Sequence, residues 1–424
     1  MKKLSLIGLT LLMGCNSDTE NITIEHSPLE STSFIYGNSD LRQFVSATAG
    51  YDFIGLGEAS HQGSKAYSYR ARMLKALHEE GNLDFIAFEA GLYDGLAAWQ
   101  NYLTDEQNLL DAVTGPDANY MFGHRYSAEL AHLFNYVDQL PKDTTPLLLI
   151  GYDARINSDP GCSVMFDELE NYLVSQSLYQ ESFATIKSLS PIMMCPWYAD
   201  RDFTVTDHHQ LTSLLSELIS TLTTQKELEM IPDYDPTSPR EFRNYASFWL
   251  QVAKSLSAHS YFQINGLEDA FTDNQSAENI RWLREEWFNL PDSGQTAIWA
   301  HNIHAIPIHG SVTDAIHKRY PDKSTYNVIQ LTYRGRLAAY TPDSSQWAIN
   351  TVPYYSEART VNHSLFSLGF PDTFIDFKSQ STSTALFNQP QTIRFAGGSL
   401  PVYTPTSIAD GILFIPREVP AVAR

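Results

Sequence analysis

Two side chains that can move protons stand three positions apart, directly after a short apolar run. The run 53-FIGLG-57 leads to Glu58, and His61 follows among small residues. A neutral imidazole can take a proton from water because its pKa lies near neutral pH. A carboxylate beside it fixes the tautomer and stabilises the imidazolium that forms. Taken alone, however, the two residues are better explained as a helix cap and a buried histidine.

Three further apolar runs, at 84–91, 146–155 and 296–305, also end in polar side chains. Their polar residues are Glu89, Asp153, Arg155, His301, Asn302 and His304. Near-continuous apolar runs are typical of parallel strands buried on both faces of a sheet. Ligands bind such sheets in the crevice beyond the carboxyl ends of the strands. We therefore expect these side chains to share one crevice.

Helical patterns separate the apolar runs. Apolar residues recur at helical spacing over 64–80, and Gly81 is a plausible stop; 94–103 and 128–140 are also helical in pattern. Residues 165–290 are mostly helical, with runs at 165–179, 210–228, 240–256 and 276–289, and the last hundred residues favour added strands and loops. This alternation predicts an α/β fold, with a central, mostly parallel sheet flanked by helices and a helical insertion at about 165–290.

Several common catalytic motifs are absent from the sequence: the G-x-S-x-G elbow, a glycine-rich phosphate loop, H-E-x-x-H and a closely spaced cysteine pair. Histidines and carboxylates remain as the candidate chemistry. Arg70, in the helix after His61, is a candidate to pair with Glu89 or to bind negative charge developing on a carbonyl oxygen. His301 and His304 are candidates for the acid to a leaving alcohol or for an orienting group. An ion pair of Arg70 with Glu89 that serves only the fold is the alternative.

The composition excludes some partners. The chain has 424 residues, with 28 basic and 49 acidic side chains and a formal net charge of −21. Such a chain is repelled by phosphate backbones, so we expect no nucleic-acid partner. A 43% apolar content is ample for a large core. The sequence gives no indication of the oligomeric state.

The first residues predict export. Lys2 and Lys3 precede the apolar run 4–14, which is too short to span a bilayer and ends at 12-LMGC-15. This ending resembles the lipobox of bacterial lipoproteins, which implies a signal peptide at 1–15, lipid on Cys15 and a polar tether at 16–34. We therefore expect a membrane-anchored lipoprotein that faces the periplasm or the cell exterior and meets the membrane only through its lipid.

Two cysteines remain if Cys15 carries lipid. An oxidising compartment permits a disulfide between Cys162 and Cys195. Two separate free thiols are an equally good explanation, because the sequence does not give their separation in space.

Several motifs together resemble the erythromycin esterase family. They are 55-GLGEASH-61, 70-RARML-74, 85-FIAFEAG-91, 150-IGYDAR-155, 277-AENIRWL-283 and 299-WAHNIH-304. The resemblance runs from about residue 35 to the end of the chain, which we treat as one catalytic domain, 35–424. It implies an α/β core with a helical lobe over a deep active-site cleft. Its best-known members open macrolide rings by hydrolysing the lactone ester.

The resemblance also implies roles for individual residues. The family's functional positions correspond to Glu58, His61, Arg70, Glu89 and His301, and His304 matches less securely; Asn302 and Asp153 are supporting candidates. His61 is the expected general base that activates water, without a covalent acyl-enzyme and without a cofactor. The expected substrate is a small-molecule ester, in particular a lactone or macrolide-like ester.

Some positions depart from the family pattern. Gln62 separates His61 from Gly63, Thr272 precedes Asp273 where an arginine is usual, and Ser276 replaces a usual methionine. Macrolide-resistance esterases act in the cytoplasm, whereas this chain is expected to be exported. The resemblance therefore supports the family's type of reaction for this chain more strongly than it supports the family's substrate.

Two alternatives to this reading stay open. One is a metal-dependent hydrolase on the same carboxylates and imidazoles, which are suitable ligands for a first-row metal ion. The other is a lipoprotein that binds a ligand without catalysis.

Overall fold

The computed structural model describes residues 23–104, 106–115, 121, 127–142, 147–266, 270–338, 351–381, 384–395 and 400–424. Nine strands of this part of the chain form one sheet. All strands, including a separate two-stranded ribbon, are β1 (Ser27–Pro28), β2 (Phe53–Glu58), β3 (Leu83–Gly91), β4 (Leu148–Asp153), β5 (Gln295–His301), β6 (Thr325–Ala338), β7 (Thr351–Tyr355), β8 (Thr373–Asp376), β9 (Gln391–Thr392), β10 (Val402–Tyr403) and β11 (Gly411–Glu418).

The centre of the sheet is parallel and its margin is antiparallel. The strand order is β1-β8-β11-β6-β2-β5-β3-β4, and β7 pairs with β6 outside this order. The pairs β11/β6, β6/β2, β2/β5, β5/β3 and β3/β4 are parallel, whereas β1, β7 and β8 pair antiparallel. Every residue of β2 and β4 is buried, as expected for strands covered on both faces. The predicted α/β fold with a mostly parallel sheet is confirmed.

Helices cover the sheet and fill the segment between β4 and β5. They are α1 (Arg42–Thr48), α2 (Ser64–Glu80), α3 (Leu92–Leu103), α4 (Leu109–Thr114), α5 (Ala128–Asp138), α6 (Asp159–Ser163), α7 (Met165–Ser175), α8 (Phe183–Met194), α9 (Val205–Glu227), α10 (Ala246–Asn265), α11 (Phe271–Arg281), α12 (Asn302–Ala305), α13 (Val312–Arg319), α14 (Val361–Ser367), α15 (Ala385–Asn388) and α16 (Pro405–Ile408). None of these helices combines the length and the apolar character that crossing a bilayer requires.

The predicted helix at 64–80 has the bounds of α2, and Gly81 follows it, donating its backbone N–H to Leu77. Other predicted bounds were wrong by several residues. α9 begins earlier, at a capping box in which Thr204 and Asp207 bond each other's backbone. α10 begins later than residue 240 because 242–244 form a 3-10 turn, and it continues past residue 256 to Asn265, which Gly266 follows. After α11, residues Trp282–Trp287 continue as a π-helical turn.

The first described residues pack against the sheet. β1 pairs with β8, and the side chains of Ile24 and Leu29 are buried. The backbone carbonyl of Ser31 accepts a hydrogen bond from Arg72 in α2. Part of the segment predicted as a polar tether, from residue 24 onward, is therefore an edge of the folded domain. The predicted lipidation site, Cys15, lies outside the described residues.

A disulfide joins two elements of the helical segment. Cys162 in α6 is bonded to Cys195 at the end of α8, with 6.2 Å between their Cα atoms. Of the two possibilities that the sequence leaves open, the structure has the bonded pair.

Candidate functional site

The polar residues predicted to share a crevice lie at the carboxyl ends of four adjacent parallel strands. Glu58 ends β2 and is in register with His301, which ends β5. Asp153 ends β4 and is in register with Gly91 of β3. Glu89 lies where the pairing of β3 with β4 shifts between Phe88 and Gly91. Such irregularities often re-aim a side chain next to an active site.

The first group of side chains, here called the Glu58 cluster, consists of Glu58, His61, Arg70 and Trp299. The Glu58 carboxylate is buried; its Oε1 bonds Nδ1 of His61, and its Oε2 accepts from Arg70 Nη1 at 3.2 Å and from Trp299 Nε1 at 3.4 Å. The His61 side chain keeps 28% of its surface exposed. The cluster therefore presents an imidazole, backed by a fixed carboxylate, to the outside.

Arg70 does not occupy the position predicted for it. Its side chain is 1% exposed and pairs with Glu58, not with Glu89. The guanidinium also donates to the backbone carbonyls of Gly57 and Ala66. Burial lowers the pKa of Arg70, and the Glu58 carboxylate opposes this effect. Arg70 therefore fixes Glu58 beneath the imidazole, and its role of binding charge on a substrate carbonyl stays a prediction.

The loop that carries His61 is held by the last residues of the chain. Gln62 has a φ of 73°, a left-handed conformation that few side chains adopt. Its N–H donates to the hydroxyl of Tyr67 at 2.8 Å, and its carbonyl accepts from Ala421 at 2.9 Å. Ser64 donates to the carbonyl of Val419 at 2.9 Å. The residue that departs from the family pattern is thus accommodated by a strained turn and a backbone clamp.

His301 is a neutral imidazole beside His61. The two ring centroids are 5.5 Å apart, and the backbone N–H of His301 donates to Oε2 of Glu89 at 2.8 Å. Burial, and next the nearby His61, lower the pKa of His301 to about 4. Its Nδ1 is buried without a hydrogen-bond partner in the described part of the chain. At neutral pH this ring can donate or accept one hydrogen bond but carries no charge.

A second group, here called the Asp153 cluster, consists of Asp153, Arg155, Asp273 and His304. Arg155 Nη2 lies 2.8 Å from Asp153 Oδ2, and Nε lies 3.1 Å from the same oxygen. Burial by itself raises the pKa of Asp153, but the positive charge of Arg155 outweighs this effect and holds that pKa below its usual range. Ser276 fixes the end of β4 by accepting from the N–H of Ala154 and donating to Asp153.

His304 joins the Asp153 cluster through a carboxylate from the helical segment. Its Nδ1 lies 2.6 Å from Oδ2 of Asp273 in α11. Burial disfavours the charged ring, but Asp273 overcomes this effect and raises the pKa of His304. The other ring nitrogen, Nε2, lies 3.4 Å from Nη2 of Arg155, whose positive charge partly opposes the effect of Asp273 on this pKa, and 3.9 Å from Oε1 of Glu89. Glu89 therefore lies between the two clusters.

Asn302 supports the site from below. Its amide donates to the carbonyls of Gln330 and Phe395 at 2.8 and 2.7 Å, and its Oδ1 accepts from the N–H of Gln330 at 3.0 Å. These bonds tie the turn after β5 to β6. Asn302 is fully buried, and its bonds hold the histidine-bearing turn.

A cavity of about 190 Å³ adjoins the Asp153 cluster. His304 and Asp273 line it together with the apolar side chains of Phe262, Ile303 and Ile308. The cavity thus combines an apolar wall with a few polar groups, as small-molecule sites usually do.

Two residues of the Asp153 cluster, Asp273 and Arg155, were not assigned a role from the sequence. Asp273 lies 31 residues before His304 and was noted in the sequence only as the neighbour of Thr272, so the tertiary contact alone reveals the pairing. Arg155 follows Asp153 by two residues, and that spacing was the only signal of its position. By contrast, Glu58 and His61 were found from sequence, because the apolar run before them is one of several that end in polar side chains.

Sequence comparisons identify a family model and a relative that match this chain. The model of the erythromycin esterase family matches residues 78–417. A protein of Bacillus subtilis described as the putative hydrolase YbfO is 22% identical over 93% of this chain and 90% of its own length.

Solved structures share the fold. A succinoglycan biosynthesis protein superposes with a TM-score of 0.71 at 15% identity, over 94% of this chain and 96% of that one. A mutant of the erythromycin esterase EreC in its open conformation superposes with a TM-score of 0.64 at 14% identity, over 94% and 98%. Because the family model covers most of the sequence, the chain described here belongs to the erythromycin esterase family.

Proposed function

We propose that this protein hydrolyses a carboxylic ester, in particular a lactone or macrolide-like ester, with His61 as the general base and without a covalent acyl-enzyme. One observation carries the proposal: the partly exposed His61 ring bonds through Nδ1 to the buried carboxylate of Glu58. The absence of a nucleophile elbow from the sequence is consistent with direct attack by water.

The Glu58 carboxylate determines which nitrogen of His61 acts. A carboxylate accepts a hydrogen bond, so Nδ1 carries the proton and Nε2 carries the basic lone pair. When Nε2 takes a proton from water, the ring becomes an imidazolium, which the negative charge of Glu58 stabilises. Arg70 and Trp299 hold Glu58 in place, so the ring orientation is set before substrate binds.

The proposal is tested by incubating the purified protein with a panel of esters and lactones that includes macrolides. We expect a mass increase of one water in the product of a lactone substrate, and separate acid and alcohol from an open-chain ester. His61→Ala should fold and lose at least ~10²-fold in kcat, since general-base catalysis contributes that much. His209→Ala, which changes an exposed histidine of α9, is the matched control and should keep full activity.

Two results would contradict the mechanism. Full turnover by His61→Ala would show that His61 is not the general base. An acyl adduct in the intact-protein mass during turnover would show that water does not attack the ester directly.

A second candidate function is a metal-dependent hydrolase, and one observation favours it. Glu58, His61 and Glu89 each place a donor atom within 4.8 Å of the other two. Two carboxylates and an imidazole are suitable ligands for Zn²⁺ or Mn²⁺, and such an ion can generate hydroxide at neutral pH. Elemental analysis of protein purified without added ions, with activity measured before and after chelator treatment, separates the two candidates. Loss of a bound ion together with activity supports the metal reaction; a metal-free, active protein supports the general base.

We further propose that the protein is exported and anchored by lipid on Cys15. The basic start, the short apolar run and the small-residue ending at Cys15 support this. Detergent phase partition of full-length protein from a bacterial host tests it. The wild type should enter the detergent phase and Cys15→Ser the aqueous phase; equal partition would refute the anchor.

A further inference from the structure

Arg155 is held rigidly but is not enclosed. Two of its guanidinium nitrogens contact the Asp153 carboxylate, and its backbone N–H donates to Oδ1 of Asp153 at 2.9 Å. Asp153 is itself buried and bonded by Ser276. A planar guanidinium fixed along one edge by a carboxylate has its remaining donors preorganised. The side chain of Arg155 nevertheless keeps 19% of its surface exposed.

One donor group of Arg155 is available for a ligand. Its Nη1 makes no hydrogen bond to any residue within the described ranges. Nε and Nη2 face Asp153, and Nη2 also lies 3.4 Å from Nε2 of His304. The corresponding nitrogen of Arg70 bonds Glu58 and the carbonyl of Ala66. Of these two guanidinium groups, the one in the Asp153 cluster is therefore suited to meet a substrate.

The position of Arg155 relative to the base is also suitable. Its Nη2 lies 3.8 Å from Oε1 of Glu89. Glu89 in turn places a carboxylate oxygen within 4.8 Å of a ring nitrogen of His61. The Arg155 guanidinium lies 5.8 Å from the ring of Phe262, which lines the cavity described above. A small ester bound between the cavity and His61 would bring its carbonyl group close to Arg155.

We propose that Arg155 is a catalytic residue whose Nη1 donates a hydrogen bond to the carbonyl oxygen of the bound ester and stabilises the oxyanion of the tetrahedral intermediate. This inference rests on the proposed ester hydrolysis. Oriented donors aimed at developing negative charge usually provide a large part of the rate enhancement in acyl transfer.

The electrons and protons balance in two steps. Water gives a proton to Nε2 of His61 as its oxygen bonds to the carbonyl carbon, and the carbonyl π pair moves onto the oxygen that faces Arg155. When the intermediate collapses, the carbonyl re-forms and the bond to the alkoxy oxygen breaks. That oxygen takes the proton back from the His61 imidazolium. An ester and one water become an acid and an alcohol, with His61 restored.

The test compares Arg155→Met with wild type on an oxoester and on the matching thionoester, in which sulfur replaces the carbonyl oxygen. Sulfur is a weak acceptor, so a donor to the oxyanion favours the oxoester. We expect kcat on the oxoester to fall by ~10² to ~10³-fold with little change in KM, as when an oxyanion donor is removed. The ratio of kcat/KM between oxoester and thionoester should fall toward unity.

Arg243→Met is the matched control, because Arg243 is also a partly exposed guanidinium fixed by carboxylates, those of Glu168 and Glu241. It should leave both substrates unaffected. Should Arg155→Met fail to fold because Asp153 loses its partner, the double variant with Asp153→Asn removes the unpaired charge. Rescue of Arg155→Ala by added guanidinium ion is an independent readout that a role in folding alone would not give.

Three results would overturn the inference. They are an unchanged kcat in Arg155→Met, an equal loss on oxoester and thionoester, and a rise in KM alone. A wild-type protein that cleaves no ester refutes the proposed function instead, so the two failures are distinguishable.

Discussion

The two charged clusters at the carboxyl edge of the sheet contain the same kinds of groups in opposite arrangements. In the Glu58 cluster the arginine is buried, with 1% of its side chain exposed, and the histidine is partly exposed, with 28%. In the Asp153 cluster the histidine is buried, with 7% of its side chain exposed, and the arginine is partly exposed, with 19%. One cluster therefore presents a base and the other presents a fixed positive charge.

This difference arises because the arginine is the buried residue in one cluster and the histidine is the buried residue in the other. Glu58 ends a central strand, and Arg70 reaches it from the buried face of α2, so the His61 loop is on the outer side. Asp153 ends an edge strand, and Arg155 lies two residues later, in the loop before α6. His304 is covered by α11 through Asp273. The same residue types thus take different chemical roles because of position alone.

The largest expected effect is on folding, from the buried arginine. Arg70→Met leaves Glu58 buried and unpaired, and breaking a buried ion pair in this way typically costs about 3–5 kcal/mol. Urea unfolding followed by circular dichroism measures it. Arg201→Met, which removes the arginine of an exposed pair with Asp207, should show no measurable change. Equal stability of the Arg70 and Arg201 variants would refute the structural role of Arg70.

The disulfide is expected to stabilise the Asp153 side of the site selectively. It joins residues separated by 33 positions, and loop closure of that length gives about 3–4 kcal/mol. The Cys162→Ala/Cys195→Ala double variant should therefore unfold at lower urea. Amide hydrogen exchange should also accelerate more at residues 156–164, which include Cys162, than at residues 59–63. Hydrogen bonds to 419–421 hold the second segment independently of the disulfide. Equal acceleration in both segments would show that the two halves of the site open together.

The acid–base role of the Glu58 cluster predicts a loss of turnover in the folded protein, beyond the loss of stability that follows from leaving Arg70 buried and unpaired. Glu58→Gln keeps an acceptor for Nδ1 of His61 but removes the charge that stabilises the imidazolium. We expect kcat to fall by about 10²-fold, the lower end of general acid–base contributions. Glu286→Gln removes an acid that pairs with Lys226 and Arg281 in the helical segment and serves as the control. An unchanged kcat in Glu58→Gln would mean that the carboxylate does not assist His61.

The features predicted well from sequence were those that depend on local periodicity or on the rule for parallel strands. The bounds of α2 followed from apolar spacing and Gly81. The convergence of Glu58, Glu89, Asp153 and His301 followed because parallel strands end at the same edge.

The features that sequence did not predict depend on contacts between distant residues. Glu89 was the partner predicted for Arg70, and the pairing with Glu58 depends on how α2 packs against the end of β2. The helix α8 contains Pro191, which normally interrupts a helix, and no pattern predicted it. The packing of residues 24–31 depends on β8 and α2, and the composition of this segment is polar.

The smallest expected effect concerns the buried histidine of the Asp153 cluster, and it depends on pH. The pKa of His304 is raised by Asp273 above its ordinary value, about 6.5 in an unfolded chain. The stabilisation is therefore complete below that pH and is lost as the pH rises through the folded-state pKa, because only the charged ring gains from the carboxylate.

Asp273→Asn removes a charge-assisted hydrogen bond and should cost about 1.5 kcal/mol in acid but less in alkali. Unfolding free energies of wild type and variant measured from about pH 4.5 to about pH 10 locate this loss, since the range begins well below the ordinary pKa of histidine and extends well above it. A difference that stays small and constant across the whole range would mean that His304 stays neutral. In that case the positive charge of the Asp153 cluster belongs to Arg155 alone, and the contrast with the Glu58 cluster becomes sharper.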